Sequence, residues 1–166
     1  MPGLQMIPPT LQGAFWDTFH LGLAYVLALP IGWDREQEGH SAGLRTFPIV
    51  CVAACGIVML ARSLPDANTD SQSRILQGLI MGIGFVGGGA ILRDKDGVTG
   101  TATAASVWNI GVVGAAVGFD LYHIAVVLTL INWLTFKILT PLKHKLDRGG
   151  NDNPPTDDSS SAKNPG

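Results

Sequence analysis

The side chains best suited to chemistry lie in one short run, Asp34-Arg35-Glu36-Gln37-Glu38-Gly39-His40-Ser41-Ala42-Gly43-Leu44-Arg45-Thr46. Asp34, Glu38 and His40 could ligate a hard cation such as Mg²⁺, which prefers carboxylate oxygens and retained waters. Three ligands on one loop are too weak a pattern to assign a metal. Arg35 and Arg45 could grip a lipid phosphate or another anion with two hydrogen bonds each. The plain alternative is a solvated turn in which Asp34 pairs with Arg35 or Arg45. Asn109 is the second residue of interest. It stands among Thr101, Thr103 and Ser106 in an otherwise apolar stretch. Small hydroxyls can bond back to their own helix, whereas an amide at membrane depth needs a partner across an interface or a wet cavity. Asp34, Arg35, Glu36, Arg45, Thr46 and Asn109 therefore form the candidate polar cluster. No Ser-His-Asp or H-E-x-x-H pattern occurs, so the sequence predicts no catalytic residue and no enzyme.

What must position these groups follows from composition. Of 166 residues, 46% are hydrophobic and only 14% charged, and mean hydropathy is +0.28. A soluble domain carries about 25% charged residues. The charges bracket five uncharged gaps: 18–33, 46–61, 75–92, 97–119 and 121–136. A membrane-spanning helix needs about 17–25 mostly apolar residues. The expected fold is all-α, a polytopic membrane bundle of about five transmembrane helices near 15–33, 46–61, 75–92, 99–118 and 121–140. Residues 1–13 form an irregular lead-in, 14–148 the transmembrane domain, and 149–166 a disordered polar tail.

Two of the shortest gaps flank the ionisable run, so Asp34, Arg35 and Arg45 are held near hydrocarbon. A charge there must be paired or face a polar interior. Lys and Arg are also one-sided. Arg62 and Arg74 lie on one side, against Arg35, Arg45, Arg93, Lys95, Lys137, Lys143, Lys145 and Arg148 on the other. That bias predicts the N-terminus outside and the C-terminus in the cytoplasm. No Lys or Arg precedes Arg35, which leaves no basic flank for a cleavable signal peptide. The net charge of −2 gives no support for nucleic-acid binding. Cys51 and Cys55 read as small buried apolar residues.

Glycines are concentrated in helices three and four. Gly78 with Gly82, and Gly84 with Gly88, make two G-x-x-x-G pairs, and Gly87 and Gly89 extend the run. Gly100, Gly114 and Gly118 punctuate helix four. Small residues let helix backbones approach in lipid, which predicts packing positions and a central helix three. The alternative is a broken helix at Gly87–Gly89 that exposes carbonyls to an ion or substrate.

Three stretches together resemble the MgtC/SapB family of bacterial inner-membrane proteins. Gly32-Trp33-Asp34-Arg35-Glu36 followed by Ala42-Gly43-Leu44-Arg45-Thr46 is similar to the family's G-x-E-R-E and A-G-L-R-T. Gly82-Ile83-Gly84-Phe85-Val86-Gly87-Gly88-Gly89 resembles its G-I-G-F-L-G-A-G run. Gly97-Val98-Thr99-Gly100-Thr101-Ala102-Thr103-Ala104-Ala105 with Trp108 resembles its V-x-G-L-T-T-A-A-x-x-W. The sequence departs from the pattern at Asp34, where Glu is usual, and at Thr101-Ala102 in place of Leu-Thr. Larger members carry a folded cytoplasmic domain after the last helix, and here a polar tail follows, so functions of that domain are not expected. The resemblance implies a multi-pass inner-membrane protein linked to growth at low Mg²⁺ and, in pathogens, to survival in host cells. Other membrane proteins such as the ATP synthase, or self-association, are the partners it implies. Two readings are carried forward. One is a non-enzymatic protein acting through membrane-protein contacts, without a cofactor. The other is a small transporter or channel for an ion or polar solute.

Overall fold

The computed structural model describes residues 9–37, 42–64, 69–94 and 97–149. They form helices α1 (Pro9–Gln37), α2 (Thr46–Ser63) and α3 (Thr69–Gly88), then the hairpin strands β1 (Leu92–Asp94) and β2 (Gly97–Thr99). Helices α4 (Thr101–Gly118) and α5 (Tyr122–Gly149) complete the order. Compactness divides the chain after Leu134. The first unit holds everything up to the first half of α5. The second, from Thr135, continues α5 as helix to Gly149.

The architecture is an all-α polytopic membrane bundle. Segments Gly13–Gln37, Thr46–Ser63, Thr101–Gly118 and Tyr122–Leu139 are long and apolar enough to cross a membrane. Helix α3 falls short because Thr69 to Arg74 are polar and its apolar part is diluted by Gln77 and five glycines. The expected helix over 75–92 ends instead at Gly88, and Leu92–Asp94 turns into a strand. Helix α1 starts at Pro9, inside the expected lead-in, while the expected tail from 150 onward lies outside the described residues.

Each helix buries the stripe its spacing dictates. Ala24, Ala28, Ile31 and Arg35 line one side of α1, and Phe47, Cys51, Ala54, Val58 and Ala61 one side of α2. Both stripes follow the alternating three- and four-residue steps of a helix face. Of its membrane window, α4 has 67% of residues buried, against 17–39% for the other three. The central helix is therefore α4, not the expected helix three. Lipid is as apolar as the core, so close packing rather than water exclusion selects the centre. Glycine and alanine let neighbours approach α4 from several sides: α1, α2 and α3 all contact it.

The register between α2 and α4 shapes both ends. A Cβ at Gly114 would overlap the Cys51 carbonyl, and one at Gly118 would press on Val58 and the Cys55 carbonyl. Four residues along α4 thus match about four along α2 in the same direction. The two helices run parallel, and α3 returns the chain between them. They are also offset. At 1.5 Å rise per residue, α4 begins about 10 Å before α2 and ends about 10 Å short of it. A recess follows beyond the end of α4, where α2 overhangs it.

Candidate functional site

One end of the bundle holds the α1–α2 junction. Asp34 and Arg35 are 7% and 2% exposed. These two charges are therefore folded into the bundle, while Glu36 and Arg45 are exposed. Arg35 Nη2 donates to Asp34 Oδ2 at 3.2 Å. Glu36 is exposed, and its Oε2 accepts the Leu44 N–H at 3.0 Å, pinning the return of the chain. Glycine is needed here, because a Cβ at Gly43 would strike Glu36 and one at Gly32 would crowd Leu44. Arg45 is exposed just before α2, and Thr46 opens that helix with its N–H on the Gly43 carbonyl at 3.1 Å. Glu38 and His40, the other candidate cation ligands, lie outside the described residues.

Asn109 belongs elsewhere. Its amide makes a long 3.4 Å bond to the Leu128 carbonyl of α5, so it joins a polar seam between α4 and α5 instead of the junction. In that seam Ser106 Oγ donates to Asn132 Oδ1 at 2.9 Å. Thr103 Oγ1, Thr129 Oγ1 and Asn132 Nδ2 are buried without a hydrogen-bond partner among the described residues. Interhelical hydrogen bonds in membranes average about 0.6 kcal/mol, with a maximum near 1.7. A double-mutant cycle of Ser106→Ala and Asn132→Leu, read by unfolding in detergent, should give a coupling of about that average. A coupling of zero would remove this pair from the seam.

The glycines divide by environment. Gly114 and Gly118 sit against α2, and a Cβ at Gly87 would lie 3.0 Å from the Ala104 carbonyl oxygen of α4. A Cβ at Gly78, Gly82, Gly84 or Gly88 would meet nothing within 4 Å, so among the described residues no other helix packs closely on them. Gly89 lies in the turn after α3. Gly100 enters α4 at φ 83°, where a side chain is strained, and a Cβ would also overlap the Ala90 carbonyl.

The recess at the other end of the bundle was not anticipated from the sequence. Beyond the end of α4, α1 and α2 wall a vestibule of about 520 Å³ lined by Trp16, Asp17, His20, Met59, Arg62, Ser63, Asp120 and Tyr122. Its floor is the α4–α5 turn. Leu121 N–H bonds the Ala116 carbonyl and Asp120 N–H the Val117 carbonyl, the pairing that closes a helix on a left-handed residue. Glycine normally fills that place, but here it is Asp120 at φ 62°. A strained non-glycine is retained where its side chain has a task. Asp120 Oδ1 lies 2.6 Å from His20 Nε2 and accepts the Tyr122 hydroxyl at 3.0 Å. Its Oδ2 pairs with Arg62 at 2.7 Å, and Arg62 Nη1 also donates to the Gly118 carbonyl at 2.6 Å. The hydrogen bond to His20 leads in lowering its pKa to about 2, helped by Arg62 and Tyr122 and opposed by desolvation. Asp120 is therefore an anion throughout the physiological range. An aspartate at a helix-stop position, with a lone histidine inside an apolar span, is the sequence signal that would have found this cluster.

Comparison with known proteins adds identity to this geometry. Residues 21–145 match the sequence model of the MgtC family. Protein SrpB of Synechococcus elongatus is 32% identical over 71% of this chain and 71% of its own. Protein MgtC of Brucella abortus is 34% identical over 75% of this chain, which spans 51% of that relative's length. YhiD of Escherichia coli K12, whose name proposes a magnesium transporter, is 28% identical over 74% of this chain and 63% of its own. No solved structure matches.

Proposed function

The chain belongs to the MgtC family, and from that premise we propose a multi-pass inner-membrane protein that binds other membrane proteins during adaptation to low Mg²⁺. It catalyses no reaction in this reading. The observation that carries it is the uncovered glycine surface of α3: Gly78, Gly82, Gly84 and Gly88 meet nothing within 4 Å. Glycine rows in membrane helices serve close helix–helix approach, and within this chain that role falls to Gly114 and Gly118 of α4. The α3 rows are left for a partner, whether another copy or a larger assembly such as the ATP synthase. Helix α3 is read as the fifth crossing, because it returns the chain between the parallel α2 and α4. The Lys and Arg bias then sets the N-terminus outside and the C-terminus in the cytoplasm.

Co-purification from mild detergent tests the reading. The wild-type protein should bring down a partner or a second copy, and Gly84→Leu or Gly88→Leu should abolish that while leaving the monomer folded. A wild-type protein that purifies only as a monomer overturns it.

Transport is the second reading, favoured by the buried polar groups of the α4–α5 seam and by the printed name of YhiD. Protein-dependent Mg²⁺ flux into liposomes, lost in Asn109→Leu or Arg35→Ala, would put it first.

A further inference from the structure

The vestibule holds a histidine whose two ring nitrogens both face acceptors. His20 Nδ1 lies 2.6 Å from the Trp16 carbonyl, which can only accept, so Nδ1 carries a proton. Nε2 lies 2.6 Å from Asp120 Oδ1, and Asp120 is an anion. A neutral ring protonated at Nδ1 would point its remaining lone pair at that carboxylate. Only the doubly protonated imidazolium satisfies both contacts. The ring is 11% exposed by its side chain, and its carboxylate partner is 44% exposed toward the vestibule.

We propose that His20 is a proton-binding site that latches α1 to the α4–α5 turn. With the proton on, Nε2–H donates to Asp120 Oδ1 and a charged pair ties two elements that lie 100 residues apart in sequence. With the proton off, the lone pair and the carboxylate repel. The Tyr122 hydroxyl, 2.8 Å from Nε2 and 3.0 Å from Asp120 Oδ1, is then placed to turn its hydrogen to the imidazole. Asp120 loses a donor, and α1 keeps only a neutral hydrogen bond to Tyr122 beside the turn. Acid therefore tightens the latch and alkali loosens it.

The groups that face this ring are Asp17 on α1, Arg62 on α2, Asp120 in the turn and Tyr122 on α5. Arg62 keeps its charge at any relevant pH and holds Asp120 in place from the far oxygen. The Cys55 thiol is the titratable group behind the floor on α2, sulfur to sulfur with Met59 at 3.7 Å. His123, next to Tyr122, is exposed and does not line the vestibule. The inference concerns the vestibule alone and stands or falls separately from partner binding through α3.

Two measurements on the full chain in nanodiscs test it, across the interval of about pH 5 to 8 in which histidines change charge. In ¹⁵N-histidine-labelled protein, the resonances lost in His20→Gln should show both ring nitrogens protonated at the acid end and one at the alkaline end. Nitroxides at Phe15→Cys and Leu121→Cys report the latch, since both sites are exposed while native Cys51 and Cys55 are buried. The distance between them should be single and narrow in acid and become longer or broader in alkali. Asp120→Asn and His20→Gln should each remove that change. A distance distribution that ignores pH in the wild type overturns the latch, as does a neutral His20 at the acid end. A pH response that survives His20→Gln overturns it too. The resonances of the wild-type chain decide the protonation state even where a variant fails to fold.

Discussion

Gly114→Leu is expected to destroy the bundle, whereas Gly82→Leu leaves it intact. The two glycines lie in neighbouring helices of similar composition, yet a Cβ at Gly114 would overlap the Cys51 carbonyl and crowd Ala54. Backbone on a buried helix cannot swing aside as a side chain can. Overpacking costs about 1–3 kcal/mol in typical cores and more where nothing yields. Here α2 would have to leave α4, and with it the parallel register that creates the vestibule. At Gly82 nothing lies within 4 Å, so leucine should change stability by no more than about 0.5 kcal/mol. Size-exclusion profiles and thermal scans in mild detergent check the pair. Equal behaviour of the two variants would contradict the α2–α4 contact.

Breaking the buried ion pair should have the next largest effect. Arg35 lies on the same buried stripe of α1 as Ala28 and Ile31, 2% exposed, with Asp34 beside it. Removing one member of a buried pair costs about 3–5 kcal/mol, because the other charge remains buried. Arg35→Met should therefore destabilise the protein by about that amount. Adding Asp34→Leu should recover part of the loss, since an apolar pair needs no counter-charge. Unfolding by denaturing detergent reads both. Loss of less than about 1 kcal/mol in Arg35→Met, the range of an exposed pair, would place Arg35 in solvent.

Much of the fold was legible along the chain. Uncharged gaps located the helices, since bilayer thickness sets their length and hydrocarbon excludes charge. The short gaps on either side of Asp34 and Arg35 placed these charges near hydrocarbon but left a solvated turn open, and the structure buries both. The glycine runs were legible as small surfaces but not by destination. Spacing alone cannot distinguish a row that meets another helix of the chain from a row that meets none. That is why helix three was expected at the centre that α4 occupies. Asn109 was likewise grouped with residues of similar chemistry at the α1–α2 junction, while its amide faces α5.

By itself, the sequence determined class and the approximate helix positions, because each depends on local charge and length. Only the tertiary structure decided the offset between α2 and α4, the choice of central helix, and the meeting of His20, Arg62, Asp120 and Tyr122. Those depend on which backbone a given glycine approaches, and that choice is made between residues 56 to 100 positions apart in the chain. A histidine in an apolar span and an aspartate in a turn carry no mark of each other in sequence. Their 2.6 Å contact exists because Gly114 and Gly118 let α4 settle about 10 Å short of α2, leaving room above the turn for a charged floor.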